Sequence, residues 1–264
     1  MNAMKAQMKT FYFTGTGNSL QVARNVGSGG ELVSIPRFLR EQSGATERVT
    51  VSADALGLVF PTHWLAVPSL VVELLEQVRL DTDYLFIIAT RGNASLTLKS
   101  HLLQAAQKNG HAVSYFNTIS MPDNYLPLCD MAKEKQRFTS DALSQKIERM
   151  ASDVRARKCN VSGLAALSFL RPVLVSRAGR QLSDFSQRLS TDESCIRCGV
   201  CAQVCSAKSI RLIDGVPVYS STCNACLACV HNCPVGAKHM RSEKTPERYV
   251  NPTVSTADII QGNG

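Results

Sequence analysis

Thr10-Phe11-Tyr12-Phe13-Thr14-Gly15-Thr16-Gly17-Asn18-Ser19 is the stretch that decides the fold of this 264-residue chain. Thr10 to Phe13 reads as a strand, the two glycines as a tight turn, and Asn18 to Val26 as a helix. The same alternation continues outward. Leu32 to Ile35 reads as a short strand, and Leu56 to Phe60 as a strand that runs into Pro61. Val67 to Val78 reads as a helix, Tyr84 to Thr90 as a buried strand, Ser95 to Lys108 as a helix and Ala112 to Ile119 as a fifth strand. Five strands alternating with helices predict an α/β architecture, a doubly wound five-stranded parallel sheet.

The turn carries the chemistry of this first part. Its glycines let successive amides point inward, and the start of the helix behind them adds a positive dipole end. Thr14, Thr16 and Ser19 add hydroxyl donors, and no lysine is present. The set suits a phosphate monoester. A triphosphate loop would require G-x-x-x-x-G-K-[ST], which is absent, and a dinucleotide fingerprint would require glycine where Leu20 stands. The plain alternative is an ordinary turn with a helix cap.

A second pattern lies near the other end. Cys195, Cys198, Cys201 and Cys205, then Cys223, Cys226, Cys229 and Cys233, each read C-x2-C-x2-C-x3-C. This is the thiolate spacing of cubane iron–sulfur clusters, in which the fourth cysteine of each run ligates the other run's cluster. The expected sets are Cys195, Cys198, Cys201 with Cys233, and Cys223, Cys226, Cys229 with Cys205, holding two 4Fe-4S clusters in a small α+β ferredoxin-like domain. Zinc on Cys198, Cys201, Cys223 and Cys226 is the alternative, at the cost of leaving four cysteines of a duplicate unused. A disulfide framework would require an export signal, and Met1 to Lys9 has no apolar signal core. Cys129 and Cys159 fall outside the pattern and read as inert thiols.

The expected organisation is residues 1–158 as the nucleotide-type domain, 159–190 as a helical linker, 191–242 as the two-cluster domain and 243–264 as a tail. Met131 to Arg157 reads as one long amphipathic helix, and Leu164 to Leu189 as one or two short helices. Cys195 to Ile210 and Cys223 to Lys238 form an internal repeat. In the tail, Tyr249, Val250, Val254, Ile259 and Ile260 offer apolar contacts. The most apolar stretch, Val161 to Ser176, is interrupted by Arg171 and Pro172 and falls short of the roughly twenty residues a membrane span needs. No membrane span is therefore expected, and the cysteine usage makes the cytoplasm the expected location. His101, His111, His231 and His239 show no ligand spacing.

Tyr12-Phe13-Thr14-Gly15-Thr16-Gly17-Asn18-Ser19 resembles the FMN phosphate loop of flavodoxins. The whole chain resembles an anaerobe-type family in which a flavodoxin-like domain is fused to a ferredoxin with two 4Fe-4S clusters, including Met121-Pro122-Asp123-Asn124-Tyr125 and Arg248-Tyr249. The resemblance implies FMN across the C-terminal ends of the strands, with Thr14 to Ser19 on its phosphate. Pro61, Thr62, His63 and Trp64 would flank its ring on one side, and Thr90, Arg91, Gly92 and Asn93 on the other. Trp64 is read as stacking on the ring, or else as packing on the next helix; His63 as a ring contact or an exposed loop residue. The sequence departs from the family at Ser206, which follows Cys205 where proline is usual, whereas Pro234 follows Cys233. The formal net charge of +8 shrinks to about +2 once cluster and flavin charges are counted, so no nucleic-acid partner is inferred.

These residues imply an electron-transfer protein that relays electrons between FMN, two 4Fe-4S clusters and a redox partner enzyme. An FMN-dependent reductase of a small acceptor, fed by its own clusters, is the first rival, and an iron–sulfur assembly or regulatory module the second. No paired carboxylates or nucleophile–base motif assigns a catalytic residue.

Overall fold

The structure is a computed structural model, and it describes residues 8–63, 66–92, 98–161 and 185–264. Five strands form the central sheet: β1 (Lys9–Tyr12), β2 (Glu31–Ser34), β4 (Leu56–Pro61), β6 (Leu85–Arg91) and β7 (Tyr115–Ser120). They pair in parallel in the order β2-β1-β4-β6-β7. Counted along the sheet strands alone this is 2-1-3-4-5, the flavodoxin-like doubly wound order. A separate parallel pair, β3 (Val49–Ser52) with β5 (Val78–Asp81), was not anticipated from the sequence.

Side chains alternate between the two faces of each strand, which sorts the core into two layers. Phe11, Phe13, Leu58, Phe60 and Ile87 pack beneath α3 (Ser69–Gln77) and α4 (Leu98–Lys108). Tyr12, Val59, Phe86, Ile88 and Tyr115 pack on the other face with α1 (Asn18–Val26) and α6 (Ser140–Arg155). The expected long helix from Met131 to Arg157 is instead α5 (Met131–Arg137) followed by α6. Phe138 and Thr139 between them hold extended backbone, with ψ 109° and 144°. The chain also turns straight from β2 into α2 (Ile35–Glu41), where Ser34 accepts from the Arg37 amide and Pro36 fits the first turn. The expected strand to Ile35 therefore ends one residue earlier.

Downstream lie β8 (Leu189–Thr191), α7 (Val200–Gln203), β9 (Ile210–Ile213), β10 (Val216–Tyr219), α8 (Ala228–His231), β11 (Lys238–Met240) and α9 (Thr256–Asn263). β8 pairs antiparallel with β11, and β9 with β10. Here the sequence expectation is corrected. Among the described residues no group of three or more His, Cys, Asp or Glu side chains could hold a metal ion. A second, ferredoxin-like domain with two clusters is thus not part of this fold. Nor does this region have a separate core: Cys201, Val204, Cys229 and Val230 belong to the same buried cluster as Tyr12, Leu20 and Val22. The expected helical linker and the Val161 to Ser176 stretch fall almost wholly outside the described residues. Among those described, no helix is long and apolar enough to cross a membrane.

The tail folds back on the body, with Tyr249, Val254 and Ile259 buried. His239 helps to fasten its start. Asp192 lies 2.7 Å from its Nε2 and Glu243 2.8 Å from its Nδ1, while Arg248 donates to the same Glu243 oxygen at 3.2 Å. Hydrogen bonds to Glu243 and then Asp192 raise the imidazole pKa above its ordinary value. A raised folded pKa gives stability that is complete below the unfolded value, about 6.5, and is lost as pH rises through the folded one. His239→Gln should therefore lower the denaturant midpoint at pH below the unfolded pKa and converge on the native chain as pH rises through the folded one. A gap that does not change with pH would contradict the assignment.

Candidate functional site

The turn between β1 and α1 is built as a cluster of donors. Gly17 takes φ +95° and α1 begins without a side-chain cap or an acidic residue in its first turn. Among the described residues, the amides of Gly15, Thr16, Asn18 and Ser19 have no hydrogen-bond acceptor. The hydroxyls are already used as acceptors: the Gly17 amide donates to Thr14 Oγ1 at 3.0 Å, and Asn124 Nδ2 to Thr16 Oγ1 at 3.3 Å. Their own protons remain to be donated. Ser19 Oγ and Thr90 Oγ1 share one hydrogen bond at 2.8 Å, which leaves one more proton. Amides and hydroxyls with donors to spare at a helix start are the chemistry a phosphate requires, and the residues present fit that group.

The outer side of this turn is closed by residues far away in sequence. The Asn251 amide donates to the Thr16 carbonyl at 2.8 Å, and Asn263 Nδ2 to the Thr14 carbonyl at 3.1 Å. Tyr249 Oη donates to Asn18 Oδ1 at 2.7 Å. The cysteine loop comes closest. A Cβ on Gly15 would fall 2.4 Å from the carbonyl oxygen of Cys226, so glycine at 15 is required by the apposed backbone. Asn232, at the end of α8, adds a hydrogen bond to the Gly15 carbonyl at 3.4 Å. The loop motif and the second cysteine run therefore share one surface.

The loops expected to flank a ring lie beside it. The Thr62 amide donates to the Thr90 carbonyl at 2.8 Å and ties the two loops together. Pro61 ends β4, Arg91 Nε donates to Thr118 Oγ1 at 3.2 Å, and Gly92 backs onto the Asp123 carboxylate. Trp64 and Asn93 lie outside the described residues. His63 is half-buried with its ring edge-on to Phe13 at 5.6 Å. Burial lowers its pKa to about 4, so the ring is neutral.

The repeat cysteines gather in two groups. Cys195, Cys198, Cys201 and Cys233 line one small pocket with Ile196, Leu212 and Val235. Cys205 stands with the other run: Cys223, Cys226 and Cys205 all act on Cys229 electrostatically. Burial pushes the Cys226 thiol up to about 12 and the Cys229 thiol well above its ordinary value. In this second group the sulfurs meet donors, with the Ser209 amide 3.3 Å from Cys205 Sγ and the Ala225 amide 3.4 Å from Cys223 Sγ. Ser206 Oγ is 3.8 Å from Cys226 Sγ. Yet in neither group are three side chains placed so that they could hold a metal ion. The two 4Fe-4S clusters expected as cofactors are accordingly set aside. With them go the iron–sulfur and metal-binding description, the electron relay through clusters and the resemblance to a cluster-carrying fusion. What stands is the flavodoxin-like sheet. Cys129 is buried at Asp123, and burial pushes its thiol up to about 12.

No protein-family model matches the chain, and no curated protein matches it. Among solved structures it is similar to a putative flavoprotein from Bacteroides uniformis ATCC 8492, at 14% identity over 50% of this chain and 97% of that one, with TM-score 0.32. It is similar also to the Trp repressor binding protein from Bacillus subtilis, at 11% identity, 55% and 97% coverage and TM-score 0.35. A third is an NAD(P)H:quinone oxidoreductase from Methanothermobacter marburgensis, at 12% identity, 57% and 98% coverage and TM-score 0.34.

Sequence reasoning missed Asn232, Asn251 and Asn263, since nothing local marks an asparagine that will bond a loop more than 200 residues away. The apposition of Gly15 and Cys226 gives a direct prediction. Gly15→Ala should destabilise the chain by about 1–3 kcal/mol, an overpacking cost, although residue 15 is in a loop. An unchanged denaturation midpoint would show that the two loops separate at no cost.

Proposed function

We propose that this chain is a flavodoxin-like electron-transfer protein, in which Thr14, Gly15, Thr16, Gly17, Asn18 and Ser19 hold the phosphate of a flavin. The observation that carries this is the set of spare donors at the uncapped start of α1, on the first crossover of a 2-1-3-4-5 sheet. No basic side chain takes part in the turn's hydrogen bonds among the described residues. Binding would rest on N–H and O–H groups held in place beforehand by Asn124, Thr90 and the tail.

A bound flavin supplies one- or two-electron chemistry. The chain's own part is to orient it. Pro61, Thr62, His63 and Trp64, with Thr90, Arg91, Gly92 and Asn93, are the proposed neighbours of the ring. The Thr62–Thr90 bond fixes the spacing of the two loops. The thiols of Cys195, Cys198, Cys201 and Cys233, and of Cys223, Cys226, Cys229 and Cys205, are proposed as the second part of the site, beside the loop that Gly15 touches. Electrons would pass to and from a redox partner protein. All ten cysteines are free, which fits work in a reducing compartment such as the cytoplasm.

The test is Thr16→Val, which keeps the shape and deletes one donor to a charged group, worth roughly 1.5–3 kcal/mol. Affinity for flavin monophosphate, followed by flavin fluorescence, should fall about ten- to a hundredfold, while affinity for riboflavin, which lacks the phosphate, should not change. Equal affinities of native and variant chains for the monophosphate would place the phosphate elsewhere.

A further inference from the structure

Tyr12 ends β1 and is buried, at 8% exposure, yet among the described residues no group shares a hydrogen bond with its hydroxyl. A phenol buried to this degree ordinarily finds a partner for its O–H. The Gly262 carbonyl on α9 accepts instead from Ser34 Oγ. Gly262 also leaves the space that the hydroxyl uses, because a Cβ there would lie 2.7 Å from Tyr12 Oη.

Tyr12 lines a cavity of about 360 Å³ walled by α1, β2, α2 and α9, a volume within the range of small-molecule sites. Burial raises the tyrosine pKa above its ordinary value, and the charges that act on it, Arg24, Asp258 and Arg37, all stand on the cavity wall. Leu20, Leu32, Val33 and Phe38 give the cavity its apolar side. The turn at Thr14 to Ser19 contributes a side chain only through Ser19's neighbour Leu20, and none of its phosphate donors.

The polar groups of the wall are matched in charge but have N–H groups to spare. Arg24 is held by Asp258 through Nη2, Arg37 by Glu41 through Nε at 2.8 Å, and Lys9 holds Glu31 at 2.9 Å. A guanidinium carries several N–H donors, and among the described residues the side chains of Arg24 and Arg37 each spend one. An anion in the cavity would meet Asp258 and Glu41, and a cation would meet the two arginines. A neutral molecule avoids both conflicts and can accept from the spare N–H groups and from Tyr12. The Phe38 ring and the guanidinium planes favour a flat body.

We propose that this cavity is a binding site for a small neutral molecule that joins a carbonyl-type acceptor to a flat apolar body. Tyr12 donates to the acceptor, and Leu20, Leu32, Val33 and Phe38 take the body. The assignment does not depend on what the turn at Thr14 to Ser19 binds.

Benzamide, benzoate and benzylamine share a ring and a size and differ in charge at neutral pH, so they are the probes. Their binding to the full chain is followed by ligand-observed NMR titration. Benzamide should bind most tightly of the three, and Tyr12→Phe, which deletes the donor alone, should weaken it about three- to tenfold. Because the hydroxyl has no partner in the protein, Tyr12→Phe should melt at or above the native temperature, which separates a loss of affinity from a loss of fold. Absence of benzamide binding, tighter binding of benzoate or benzylamine, an affinity unchanged by Tyr12→Phe, or a lower melting temperature for that variant would each overturn the proposal.

Discussion

The carbonyl oxygen of Cys226 stands where a side chain on residue 15 would begin, and the way the turn is enclosed follows from that closeness. Glycine in a strand-to-helix turn is ordinarily explained by the ligand that approaches it. Here one glycine serves the protein's own backbone, and the ligand side of the turn is left to the free amides and hydroxyls. The turn is held between the sheet below and a cover made of the second cysteine run and the tail. Its donors are fixed before anything binds, so little ordering remains to oppose binding.

The cover brings its own electrostatics. Burial raises the pKa of several repeat thiols. Donors from Ser209 and Ala225 reach Cys205 and Cys223, whereas the pocket of Cys195, Cys198, Cys201 and Cys233 is lined chiefly by apolar side chains such as Ile196, Leu212 and Val235. Two halves of one repeat therefore sit in different surroundings. Ser206, at the position where the other half of the repeat has Pro234, brings a hydroxyl to 3.8 Å from Cys226 Sγ and accounts for part of that difference.

The sheet was legible because its strands are apolar runs bounded by turns, and Asn18 to Val26 was legible because its helical period follows two glycines. The break at Phe138 and Thr139 was not, since the amphipathic period runs straight through it and only tertiary packing decides where the backbone extends. β3 and β5 read V-T-V-S and V-R-L-D, where polar residues interrupt the apolar run that marks the buried strands. The cysteine spacing gives which thiols are neighbours along the chain. It does not give how closely their sulfurs converge, and that is where the expectation of two clusters was corrected. Contacts such as Asn251 with Thr16, or Asn263 with Thr14, join segments with no shared local pattern.

The central claim is that the turn at Thr14 to Ser19 and the cysteine loop at Cys223 to Asn232 form one site. Hydrogen–deuterium exchange of the full chain with and without flavin monophosphate tests it most directly. The ligand should slow exchange in both segments together, since each holds the other in place. Slowing confined to residues 14–19, with the cysteine loop unaffected, would contradict it.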